Sequence, residues 1–276
     1  MWDYMFWPLV ACVILPWLLV YLGIHVVQRG IIFIDIAMAQ MASLGMCVAV
    51  LWQMEPESPA TFTLALGFTL VGAAIFSFTG KRASRVPQEA VIGIAYVVSA
   101  AAAVLVISRA AHGGEEIKNM LVGDILSVYR VGVWKCFGLF AGVGAFHFLF
   151  RKRFLLVSFN REAAYEQGMR VRWWDFLFYA SFGFVVTSFV RIAGVLLVFT
   201  YLIVPAVCSI SLAQALRNRL LIGWVVSLIG GVAGLFLSYR ADLSPGAAIV
   251  CTFGALLVIV SLIALGKNLT RPKMRS

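Results

Sequence analysis

Two side chains within one apolar run of this sequence, Asp35 and Gln40, have the chemistry to meet a cation or relay a proton. A carboxylate or amide buried at membrane depth is costly unless it faces a partner or water, so such residues mark candidate pathways. At about 100° per residue the two stand roughly 140° apart on a helix, so they share one ligand only where that helix is distorted. Asp35 has a second reading, as the cap of its helix beside Arg29. The same run carries Ala37, Ala39, Ala42, Ser43, Gly45 and Ala49, small residues that let neighbouring backbones approach. Its helix should therefore be central. Pro205, inside Tyr201-Leu202-Ile203-Val204-Pro205-Ala206, removes a backbone donor and either breaks its span where the helix lines a cavity or only kinks it. Asp124 and Asp242 are further carboxylates, expected near the outer face.

Other chemistries find no support. A phosphate-cradling loop needs a glycine five residues before Gly-Lys and a hydroxyl after it. Gly80-Lys81 has Ile75 and Arg82 at those places, and Gly266-Lys267 has Ser261 and Asn268. Any ATP and Mg therefore belong to a partner, and no cofactor is expected on this chain. His25, His112 and His147 are scattered, without an HExxH pattern, and the five cysteines sit singly in apolar runs as small hydrophobes. No nucleophile and base pair is apparent, so an enzyme is not expected.

The elements that must position these residues follow from composition. Of 276 residues, 62% are apolar and only 12% charged, with mean hydropathy +0.97. A soluble domain carries about twice that share of charge. At roughly 20 apolar residues per crossing, the chain makes about nine transmembrane helices and leaves no room for a soluble domain. The expectation is an all-α polytopic membrane protein, one transmembrane domain over 1–276. The expected spans are 6–27, 31–52, 61–79, 90–107, 131–150, 176–190, 194–216, 220–239 and 247–265. The stretch 108–130 is too polar to cross and reads as a short re-entrant or interfacial helix.

The net charge of +10 could suggest nucleic acid, but the distribution of basic residues explains it better. With a cytoplasmic C-terminus, 16 of the 22 Lys and Arg fall in cytoplasmic loops and the basic tail 266–276, as the positive-inside rule requires. This sets the N-terminus outside. The longest polar stretch, 151–175, is then cytoplasmic. Within it, Asn160 to Val171 reads as a short amphipathic helix stopped by glycine. Glu162 and Glu166 lie one turn apart, and Ala163, Ala164 and Gly168 offer small residues. That helix either lies on anionic lipid or serves as a docking knob for a cytoplasmic partner.

Several segments together resemble the permeases of ATP-binding-cassette importers for divalent metals (zinc, manganese, iron). They are REAAYEQGMRV, VRIAGVLLVFTYLIVPAVCSISLA and LSYRADLSPGAAIV, with EAVIGIAYVVSAAAAVLVIS and LVGDILSV upstream. The likeness covers about 22–262. It implies a type II importer-like bundle in a bacterial inner membrane. Two copies would pair around a central pathway, each would bind a cytoplasmic ATP-binding subunit, and an extracytoplasmic metal-binding protein would deliver the cargo. The coupling segment would comprise Arg161, Glu162, Ala163, Ala164, Glu166, Gly168 and Val171. The family's second span reads Gly-Asp-x-x-x-His, with both polar residues implicated in the metal pathway. Aligned on Leu44-Gly45, this chain has Ile36 at the aspartate position and Gln40 at the histidine position, with Asp35 displaced by one. Asp35 and Gln40 are the candidate metal contacts, and Asp124, Pro205 and Asp242 join them as candidate pathway residues. The competing class is a secondary transporter driven by an ion gradient through Asp35, Asp124 or Glu89.

Overall fold

The computed structural model describes residues 2–14, 16–55, 58–80, 86–109 and 130–270. Among these residues the chain is a bundle of eleven helices. They are α1 (Trp2–Ile14), α2 (Pro16–Arg29), α3 (Ile34–Leu51), α4 (Pro59–Thr79), α5 (Gln88–Ile107), α6 (Arg130–Leu149), α7 (Arg151–Phe159), α8 (Arg161–Glu166), α9 (Val171–Leu212), α10 (Leu216–Ala241) and α11 (Pro245–Thr270). Eight segments among the described residues are long and apolar enough to cross a membrane. They match the expected spans in order, except that the expected crossing over 131–150 falls on α6, whose described apolar part, Trp134–Leu149, is shorter. Asp124 and the expected re-entrant stretch lie outside the described residues.

Burial separates the helices into a centre and a rim. In α3, 67% of the most apolar window is buried inside the chain, against 22% for α5 and α11. The rim turns Ile94, Val97, Leu105, Val258 and Leu262 outward. An apolar surface of that extent suits lipid, since water-soluble proteins rarely expose one. The small residues of α3 make it central, as expected: it packs against α4, α5 and α9, with Ala37, Ala39, Ala42 and Gly45 buried. Close approach is obligatory where α2 crosses α9. A methyl group on Gly23 would collide with the Leu202 carbonyl oxygen.

Two expectations about the second half of the chain are corrected. The span expected over 176–190 starts earlier, at Val171, so Asp175 lies in its second turn and not in a polar loop. The next span is not broken at Pro205. α9 runs through Pro205 to Leu212, and the interruption is at Gly194, whose φ of 76° and ψ of 162° only glycine adopts readily. A proline forfeits one hydrogen bond but can be absorbed in a tightly packed helix. The left-handed Gly194 turns the chain between two crossing halves, Val171–Val190 and Gly194–Leu212.

The polar stretch after α6 is also more folded than its charge suggests. α7 buries Phe154, Val157 and Ser158 at helical spacing, while Arg151, Lys152 and Arg153 stay exposed.

Candidate functional site

The short helix α8 is held at both ends. At its start the Asn160 side-chain oxygen accepts a hydrogen bond from the Ala163 amide at 3.0 Å, a standard N-cap. At its end Gly168 takes φ +68°, its amide donates to the Tyr165 carbonyl, and the Met169 amide donates to the Ala164 carbonyl. This paired closure is the Schellman motif, which glycine permits at no steric cost. The expected coupling residues divide accordingly. Ala164 and Val171 are buried against the bundle, Ala163 is half-buried, and Glu162, Glu166 and Gly168 face outward.

Arg161 anchors the helix. One guanidinium nitrogen, Nη2, donates to Asp175 Oδ2 at 2.6 Å and to the Gly80 carbonyl at 2.8 Å. Burial is the largest single influence and works against the Arg161 charge, but the Asp175 carboxylate together with Tyr179 and Tyr165 raises the guanidinium above the usual arginine value. The other oxygen of Asp175 accepts from Arg29 Nη1 at 2.7 Å, with side chains 0% and 1% exposed. One fully buried carboxylate thus joins α2, α8, α9 and the end of α4.

The polar contacts continue outward from that carboxylate. Arg29 Nε donates to Ser158 Oγ at 2.8 Å, and His25 Nδ1 lies 2.7 Å from the same hydroxyl. The Arg29 guanidinium sits 4.0 Å over the Phe178 ring. Gln88, opening α5, donates to the Tyr179 hydroxyl at 3.1 Å and the Phe76 carbonyl at 2.9 Å. Sequence reasoning missed Asp175, counting it as the last residue of a polar loop. Its signal was a lone acid among Trp173, Trp174, Phe176 and Phe178.

The candidate pathway residues do not converge. α3 is unbroken from Ile34 to Leu51, so Asp35 and Gln40 remain on different faces. Asp35 is 1% exposed and accepts from the Ile36 amide at 2.7 Å, in the first turn of α3. It does not pair with Arg29, whose described carboxylate partner is Asp175. Between Ile34 and Ala49 every residue is buried except Ile36, Gln40, Leu44 and Val48, which recur every fourth position on one face. Gln40 is the polar member of that open stripe. Pro205 is buried near Gly223, and Asp242 is exposed as the left-handed cap ending α10. Among the described residues no three His, Cys, Asp or Glu side chains come together to hold a metal ion.

Comparisons with known proteins agree with this architecture. The chain is 28% identical over 200 residues to the manganese import system permease protein ScaB of Streptococcus gordonii, covering 72% of this chain and 71% of that protein. It is 24% identical over 254 residues to the manganese transport system membrane protein MntC of Listeria monocytogenes, covering 92% and 88%. Its fold is similar to the solved structure of PsaBC from Streptococcus pneumoniae in complex with Fab, with a TM-score of 0.77, 22% identity, and 93% and 90% of the two chains covered. The profile of the ABC 3 transport family matches residues 1–264. A match across nearly the whole bundle means that the chain belongs to the ABC 3 transport family.

Proposed function

We propose that this chain is the membrane permease of a bacterial inner-membrane ABC importer for a divalent metal ion, with manganese the leading candidate. Separate cytoplasmic subunits bind ATP and Mg and drive it, a second copy completes the pathway, and an extracytoplasmic metal-binding protein supplies the ion. The observation that carries the reading is α8, a helix of six residues capped at both ends and pinned through Arg161 to a buried carboxylate. A solvated interfacial helix has no need of such anchoring, whereas a knob that receives mechanical load does. The manganese assignment rests on what the relatives' names say of those proteins.

The open stripe of α3 suits a pathway shared between two copies. It leaves one amide, Gln40, only half-buried in a central crossing, where the surface of a second copy can face it. An amide oxygen is a weaker ligand for a transition-metal ion than imidazole, so Gln40 would guide passage more than hold the ion.

Purification from native membranes tests the docking reading. A nucleotide-binding protein should copurify in stoichiometric amount and be lost in the double variant Glu162→Lys/Glu166→Lys, whose side chains are exposed and whose fold should survive. Undiminished association in that variant, and in Gly168→Trp, would remove α8 from the interface.

A further inference from the structure

A cleft of about 540 Å³ opens between α7 and the start of α9, beside the docking helix. Lys152, Arg153, Arg170, Trp173 and Trp174 line it, with Gly168 at its edge. We infer that this cleft binds the phosphate of an anionic phospholipid of the inner leaflet.

Position is the first argument. α6 ends at Leu149 and the crossing half of α9 begins at Val171, so a cleft between residues 152–153 and 170–174 lies between the end of a shorter apolar helix and the start of a span, on the side that the basic residues mark as cytoplasmic. Basic pockets between crossing helices on this side suit anionic headgroups, and tryptophan favours the same depth because its ring is apolar and its N–H polar. Trp173 is 56% exposed there.

Charge is the second argument. Three cationic side chains line the cleft and no described carboxylate does. Arg29 and Arg161 nearby are taken up by Asp175, but Lys152, Arg153 and Arg170 form no ion pair with a described carboxylate. Arg153 is steadied by lying 4.9 Å from the centroid of the Trp174 ring. An acidic loop of a protein partner is the weaker candidate, because the adjoining docking face is itself acidic through Glu162 and Glu166 and calls for a basic partner surface.

The test is native mass spectrometry of the purified chain, titrated with phosphatidylglycerol, phosphatidylcholine and inorganic phosphate. Phosphatidylglycerol should bind at least tenfold more tightly than phosphatidylcholine, and millimolar inorganic phosphate should not displace it. Each headgroup-proximal cation is worth about fivefold in affinity, so Lys152→Gln/Arg170→Gln should weaken phosphatidylglycerol by about 30-fold. Thermal unfolding of that variant without added lipid should match the parent, and Trp173→Ala should weaken phosphatidylglycerol without changing its preference over phosphatidylcholine. Equal retention of phosphatidylglycerol in the double variant would overturn the assignment. So would displacement by free phosphate, or intact lipid binding with loss of a copurifying protein.

Discussion

Arg29 and Asp175 lie 146 positions apart in sequence, yet Nη1 meets Oδ1 at 2.7 Å in the interior of the bundle. The carboxylate's second oxygen belongs to Arg161, which opens α8. Two cations around one carboxylate leave this knot one charge in excess, partly offset by the Phe178 ring face beneath Arg29. The geometry therefore ties α8 to the end of α2 and the start of α9, and under the proposed function a load on α8 would reach both.

Removing Asp175 should cost far more than removing Arg161. Asp175→Ala strands the buried Arg29 charge and should destabilise the chain by about 3–5 kcal/mol. Arg161→Ala, whose side chain is 26% exposed, should cost about 1–2 kcal/mol because Arg29 still satisfies the carboxylate. Thermal unfolding in detergent should rank the variants in that order, and equal losses would contradict the shared-carboxylate reading.

Gln40 and Asp35 should separate transport from folding. Gln40→Ala, on the open stripe, should reduce metal uptake at least tenfold while expression and melting temperature hold. Asp35→Ala, in the covered first turn of α3, should destabilise the chain by about 1 kcal/mol through loss of its bond to the Ile36 amide, and so lower the melting temperature. Wild-type uptake in Gln40→Ala would remove the stripe from the pathway.

Two of the three described glycines with positive φ, Gly168 and Gly194, should behave differently. An alanine at Gly168 meets nothing within 4 Å and pays only for its φ, about 1 kcal/mol. Gly194 combines φ 76° with ψ 162°, a region closed to other residues, so Gly194→Ala should cost about 1–3 kcal/mol and impair transport. Melting curves and uptake assays on the pair check this, and an unperturbed Gly194→Ala would show that the turn between the two halves of α9 is not required.

The crossings were legible because a bilayer demands about 20 apolar residues each time, and their order follows from counting, although nine were expected and eight described segments are long enough. The α8 segment was equally readable, since Asn160 and Gly168 bracket it with recognised cap chemistry. Three things were not. Asp175 reads as a loop residue because its partners, Arg29 and Arg161, come from distant segments, and pairing over that separation leaves no periodic trace. Pro205 looked like the break, but packing absorbed the missing hydrogen bond, while Gly194 decided the turn through a backbone angle that composition does not announce. Asp35 drew attention as a buried charge, yet one turn of helix decides whether such a carboxylate faces a pathway or a neighbour. The small-residue pattern of α3 did foretell its central place.

Reconstitution into liposomes tests the central claim most directly, by following manganese uptake with the binding protein outside and ATP inside. The chain alone should move no manganese under any proton or sodium gradient, and uptake should appear only when the ATP-binding subunit and hydrolysable ATP are present together. Uptake by the chain alone, driven by an ion gradient and indifferent to ATP, would contradict the account.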